Sequence, residues 1–140
     1  MTFRTLLFLL LTLSWLGVAA AQQQPATLYI YQRSTFSRAV AFDVWINGQQ
    51  VAVAFPARSY FILQAPPGVL NLRTIGRPAY IAETKTFQLN VNAGQTYYLE
   101  AILDYDFMSS ALYLVQRDAT EFRRRQKSLQ LNENAKTKLE

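Results

Sequence analysis

Asn47-Gly48, set between two runs of alternating apolar residues, constrains this chain more than any other pair of positions. Asn followed by Gly adopts the positive-φ geometry of a two-residue type I′ turn, whose twist matches the strands it joins. A turn of that length fixes the strand register. Ile46 is expected opposite Gln49, Val44 opposite Val51, Phe42 opposite Val53 and Val40 opposite Phe55. This puts an apolar row on one face and Asp43, Trp45, Gln50 and Ala52 on the other, as a half-buried antiparallel ladder requires. A slip by one residue would turn the apolar row outward, so the pattern resists a slip.

The same alternation marks the other strands. Leu28 and Ile30 alternate with Tyr29 and Tyr31 in the first. Residues 59–64 form another, with both faces apolar, so its inward side stays open. Pro66-Pro67-Gly68 turns the chain, after which Leu70 and Leu72 point inward and Asn71 and Arg73 outward. Phe87, Leu89 and Val91 follow, and Asn92-Ala93-Gly94 turns the chain again. From Thr96 to Asp104, Tyr97, Leu99, Ala101 and Leu103 share one face, with Tyr98, Glu100, Ile102 and Asp104 on the other. A last strand covers residues 111–116. The expected fold is mainly β: an antiparallel β-sandwich of seven to eight short strands with one C-terminal α-helix.

The helix begins at Asp118. Asp118 and Glu121 have the spacing of an N-cap and its reciprocal third-position partner. Glu121 and Arg125 add an i,i+4 pair with the acid on the N-terminal side, the more favourable order. Phe122 and Leu129 share a stripe, which predicts a helix to about Leu131 and then a frayed polar end.

The N-terminus carries one positive charge, at Arg4, followed by a nearly all-apolar run from Leu6 to Val18. It ends in Ala19-Ala20-Ala21 and turns polar at Gln22-Gln23-Gln24-Pro25. A charged start, a short apolar stretch and small residues before the cut are the features of a cleavable secretory signal, with cleavage expected after Ala21. The apolar run is shorter than the ~20 residues that span a bilayer, so no integral membrane span is expected after cleavage. A lipid anchor would need a Cys at the cut, and the chain has none. The expected organisation is a signal peptide over 1–21, a β-sandwich over 22–117 and a helix with a polar tail over 118–140. The expected location is the periplasm or the extracellular space, not as a lipoprotein.

Composition narrows the chemistry. There is neither Cys nor His, which excludes Cys nucleophiles, His general bases, Ser-His-Asp triads and zinc sites built on either residue. No cofactor, metal or catalytic residue is expected. The net charge of +5 suggests nucleic acid at first sight, but residues 22–116 are nearly balanced. Six basic residues there (Arg33, Arg38, Arg58, Arg73, Arg77, Lys85) face five acidic ones (Asp43, Glu83, Glu100, Asp104, Asp106). The excess sits around Arg123-Arg124-Arg125 and Lys127, in a compartment without nucleic acid.

The order of the landmarks resembles a bacterial family known as domain of unknown function 2846. The residues that carry the resemblance are Ala26-Thr27-Leu28-Tyr29-Ile30-Tyr31, Phe42-Asp43-Val44-Trp45-Ile46-Asn47-Gly48 and Ser59-Tyr60-Phe61. Pro66-Pro67-Gly68, Ala93-Gly94-Gln95-Thr96-Tyr97-Tyr98 and Leu112-Tyr113-Leu114-Val115 complete them. The resemblance implies an exported, mostly β domain of the kind often carried by small envelope lipoproteins. The missing lipid-accepting Cys sets this chain apart, so tethering is not carried over. The Pro-Pro-Gly turn is also similar to that of small envelope β-modules of the PEGA type. Neither comparison supplies a catalytic motif.

Three groups of residues are candidates for function. Asp104, Asp106 and Phe107, with Tyr105 and Met108, put carboxylates and aromatic faces in one strand connection, a combination that grips a sugar or a cation. The same carboxylates would also meet the ~5 Å or ~6.5–9.5 Å separations of glycosidases, a distant third reading. The outward Tyr29, Tyr31 and Tyr98 form a flat aromatic patch for a partner or glycan, unless the C-terminal helix or the opposing sheet covers them. Arg123, Arg124 and Arg125 suit anionic lipid headgroups or phosphorylated polysaccharide, or else form a solvated helix face. The function expected is a non-catalytic exported module that binds an envelope protein or polysaccharide. The alternative is a small-ligand or glycan-binding domain using residues 104–108.

Overall fold

The computed structural model describes residues 24–33, 42–76, 82–83, 85–105 and 110–139, with the side chains of 82–83, 103–105 and 110–112 excepted. The leader and the cleavage point lie outside the described residues. Two sheets pack face to face. The larger contains β1 (Ala26–Gln32), β4 (Ser59–Ala65), β6 (Ala82–Glu83), β8 (Thr96–Tyr105), β9 (Ser110–Arg117) and β10 (Gln130–Leu131), in the order β10-β4-β1-β8-β9-β6. The smaller contains β2 (Phe42–Ile46), β3 (Gln49–Phe55), β5 (Gly68–Gly76) and β7 (Lys85–Val91), in the order β3-β2-β5-β7. One helix, α1 (Ala119–Gln126), follows β9. The described residues form a β-sandwich with a single C-terminal helix, and eight of the described strands have five or more residues.

Alternation in the sequence becomes burial in the fold. Leu28, Ile30, Phe61, Leu63 and Leu99 of the larger sheet meet Phe42, Val44, Ile46, Leu70 and Leu72 of the smaller, all fully buried. Phe55 and Phe61 join the two layers edge to face at 5.2 Å. The open question over residues 59–64 resolves with Phe61 and Leu63 inward and Tyr60 and Ile62 outward. On the outward side Tyr60 packs its ring against Phe122 of α1 at 5.8 Å.

The Asn47-Gly48 turn takes the positive φ angles expected of it, 50° and 80°. Asn47 also clamps the neighbouring strand: its Oδ1 accepts from the Asn71 N–H at 2.8 Å, and its own N–H donates to the Asn71 carbonyl at 2.9 Å. The register beyond the turn departs from expectation. Ile46 does face Gln49, but Val44 faces Ala52 and Phe42 faces Phe55, because β3 carries an extra residue at each of two irregularities. Ala52 is therefore buried and Val53 is 53 % exposed, the reverse of the simple alternation. The cause sits at Ala54, whose φ is 48° and whose N–H donates to Asp43 Oδ1 at 2.8 Å. A carboxylate that satisfies a backbone donor lets the strand bulge there.

The sheets are not wholly antiparallel. β1 and β8 run parallel from Thr27↔Thr96 to Gln32↔Ala101. Tight turns force antiparallel neighbours, but strands joined through another sheet carry no such constraint, and alternation does not record direction.

The C-terminus is the largest correction. α1 stops at Gln126, not near Leu131, and the tail is bound rather than frayed. Gln130 and Leu131 pair parallel with Ser59 and Tyr60 of β4. Further on, the Lys136 N–H donates to the Val51 carbonyl of the smaller sheet at 2.8 Å. Gln64 of the larger sheet donates to the Thr137 carbonyl and accepts from the Leu139 N–H. Ala135 and Leu139 are buried in the core. The segment is a strap across the edge of the sandwich.

Candidate functional site

The outward tyrosines fall on one face of the larger sheet, as their alternation requires. Register brings them together: Tyr29 faces Tyr98, and Tyr31 faces both Tyr60 and Glu100. They do not form an open patch. Phe122 of α1 sits among them, with ring centroids 5.0 Å from Tyr29, 5.2 Å from Tyr31, 5.1 Å from Tyr98 and 5.8 Å from Tyr60. Tyr31 is fully buried, and Tyr29 and Tyr98 are half-buried and stacked on each other at 5.2 Å. The helix occupies the surface proposed for a partner.

Behind the aromatic cluster lies a buried charge. Glu100 accepts from Arg117 Nε at 2.8 Å and pairs with Arg33 Nε at 3.4 Å, with its own side chain 5 % exposed. The hydrogen bond to Glu100, and then that carboxylate's charge, raise the pKa of Arg117. The Tyr31 hydroxyl has no hydrogen-bond partner among the described residues. Burial first, and the Glu100 and Glu121 carboxylates after it, push its pKa up from 10.0 to about 12.

Folding therefore holds the Tyr31 proton more tightly than the unfolded chain does. The stability linked to it is fully present below pH 10 and is lost as the pH rises through about 12. Tyr31→Phe is expected to leave neutral-pH stability unchanged or to raise it by about 1 kcal/mol, since a buried hydroxyl without a partner has given up its hydration for nothing. The variant should lose less stability than the parent between pH 10 and about 12, read from urea midpoints across that range.

The arginines of α1 are only partly available. Asp118 caps the helix by accepting from the Glu121 N–H at 2.8 Å. The Glu121 carboxylate turns forward along the helix instead of closing a reciprocal box. It bonds Arg125 Nε at 3.1 Å and pairs with Arg124 Nη1 at 3.5 Å. Arg123 and Arg124 are exposed and Arg125 is half-buried, the arrangement of a solvated face with local ion pairs. Of the acidic connection, Asp104 falls in β8 opposite Ala111, its side chain outside the described residues, as are Asp106 and Phe107 altogether.

The outward face of the smaller sheet is open and polar. Trp45, Arg73 and Thr86 stand in register across β2, β5 and β7, and Asn71 and Gln88 make the next row. Gln88 Nε2 donates to Asn71 Oδ1 at 2.9 Å, and Asn71 is held in turn by Asn47. The Arg73 guanidinium carbon lies 5.6 Å from the Trp45 ring centre. These residues line an open concavity of about 470 Å³, with Gly48 at the hairpin end. That volume falls within the ~300–1,000 Å³ of small-molecule sites. Trp45 Nε1 is buried without a hydrogen-bond partner among the described residues.

This face was missed in the sequence, although one signal was present. Trp45 stands on the otherwise polar side of the hairpin, with Asp43 and Gln50. An aromatic on a polar strand face, next to outward Asn71 and Arg73, has no core to fill.

Among the described residues, no group of three or more acidic side chains is placed to hold a metal ion, and no helix is long and apolar enough to cross a membrane. The fold and this face define a β-sandwich with a polar, aromatic groove. No family model and no curated protein matches the chain.

Proposed function

We propose that the chain is a non-catalytic, exported interaction module that holds an envelope polymer in the groove around Trp45. The observation that carries this reading is the Trp45–Arg73–Thr86 row beside the bonded Asn71–Gln88 amides. An indole supplies an apolar face, while amides, a hydroxyl and a guanidinium supply directional bonds around it. The amide–amide bond uses one polar atom of each side chain, and each amide has a second for a ligand. The secretory leader and the resemblance to the exported family support the compartment. Phe122 occupies the tyrosine face, which leaves the smaller sheet as the better docking surface. A strand scaffold on both sides keeps the groove in place without ligand, so binding loses little to ordering.

The test is site-specific photocrosslinking in intact envelopes, with the reactive group placed at exposed Gln88 and, separately, at exposed Arg123. Envelope polymer should attach at position 88 and not at 123. Attachment of polymer at 123 alone would transfer the function to the helix arginines.

A further inference from the structure

We infer that the groove around Trp45 takes an acidic saccharide, a sugar ring that carries a carboxylate; the inference rests on the polymer-binding reading above. Charge selects the class. Arg73 is the only ionisable side chain among the described residues lining the groove, and it makes no ion pair among them. A guanidinium beside an aromatic ring is matched by a ligand with a carboxylate next to an apolar ring face. A sugar acid has both on one ring, with hydroxyls left for the Asn71 and Gln88 amides and the Thr86 hydroxyl.

A neutral saccharide gains nothing from the Arg73 charge beyond ordinary hydrogen bonds.

The sequence has two tryptophans, Trp15 and Trp45. In a Trp15→Phe background Trp45 is the sole indole, read by tryptophan-selective excitation, whether or not the leader has been removed. The probes are tetragalacturonate and its methyl ester, which share ring, linkage and length and differ in charge. Tetragalacturonate should change the Trp45 emission saturably, and the ester should bind at least about tenfold more weakly, the weight of one charge-assisted contact. Arg73→Gln, at an exposed position whose change leaves the core intact, should lose about tenfold for the acid and little for the ester. Rising salt should weaken the acid alone.

Equal binding of acid and ester, unchanged in Arg73→Gln, overturns the acidic class and leaves the polymer-binding reading in place. No emission change with either probe, together with a protein as the only species crosslinked at position 88, overturns both.

Discussion

Phe122→Ala should lower the unfolding free energy by about 3–5 kcal/mol, the range for removing a buried aromatic ring. Phe122 is 2 % exposed and is the only buried residue of α1. Its ring touches four tyrosines on three strands, and aromatic pairs add about 0.5–1.5 kcal/mol each beyond the area they bury. The helix has eight residues, too few to hold without tertiary contact. Its cap at Asp118 and its Glu121 pairs contribute about 1 kcal/mol or less apiece. Removing the ring therefore releases the helix as well as leaving a cavity. Urea denaturation reads the first effect, and loss of amide protection over residues 119–126 reads the second. Tetragalacturonate binding should stay the same, because Trp45 lies on the other sheet. If stability changed by less than about 1 kcal/mol, the helix would not be the cover of the tyrosine face.

What the sequence made legible was local. The Asn47-Gly48 turn, the inward Leu70 and Leu72, the inward Leu99 and Ala101 and the Asp118 cap each follow from a few neighbouring residues. What it hid depends on partners distant along the chain. The bulges of β3 need Asp43 to reach the Ala54 N–H, which alternation cannot express. The parallel pairing of β1 with β8 joins residues more than sixty positions apart. The groove has the same origin. Trp45, Asn71, Arg73 and Gln88 become one surface only when β2, β5 and β7 lie in register. The tyrosines are legible as a row from alternation alone, but whether the row is open or covered turns on where Phe122 of α1 packs, and that is set by the tertiary fold.

Leu139→Ala should cost about 2–4 kcal/mol, although it changes the second-last residue of the chain. The composition of the last eleven residues is that of a solvated tail, and a change in such a tail moves stability by less than about 0.5 kcal/mol. The fold gives the opposite expectation. Leu139 is 4 % exposed and packs in the core cluster, and its N–H donates to the Gln64 carbonyl at 2.8 Å. The strap escapes a sequence reading because backbone groups make most of its attachments, and those carry no residue signature. Helix and strap also compete for the same residues. After Gln126 the Leu129 N–H bonds back to the Gln126 carbonyl, and the Gln130 N–H then turns to the Arg58 carbonyl at 2.9 Å. Pairing with β4 ends the helix there. Deleting residues 130–140 should destabilise at least as much as Leu139→Ala, and should do something the point change does not. It strips β4 of its outer partner, leaving β1 on the other side, and exposes a row of backbone donors and acceptors, the condition for edge-to-edge association. Sedimentation of the two variants separates the effects: Leu139→Ala stays in the parent's association state with a lower urea midpoint, and the deletion self-associates. A deletion that matched the parent in both readouts would mean that the strap closes nothing.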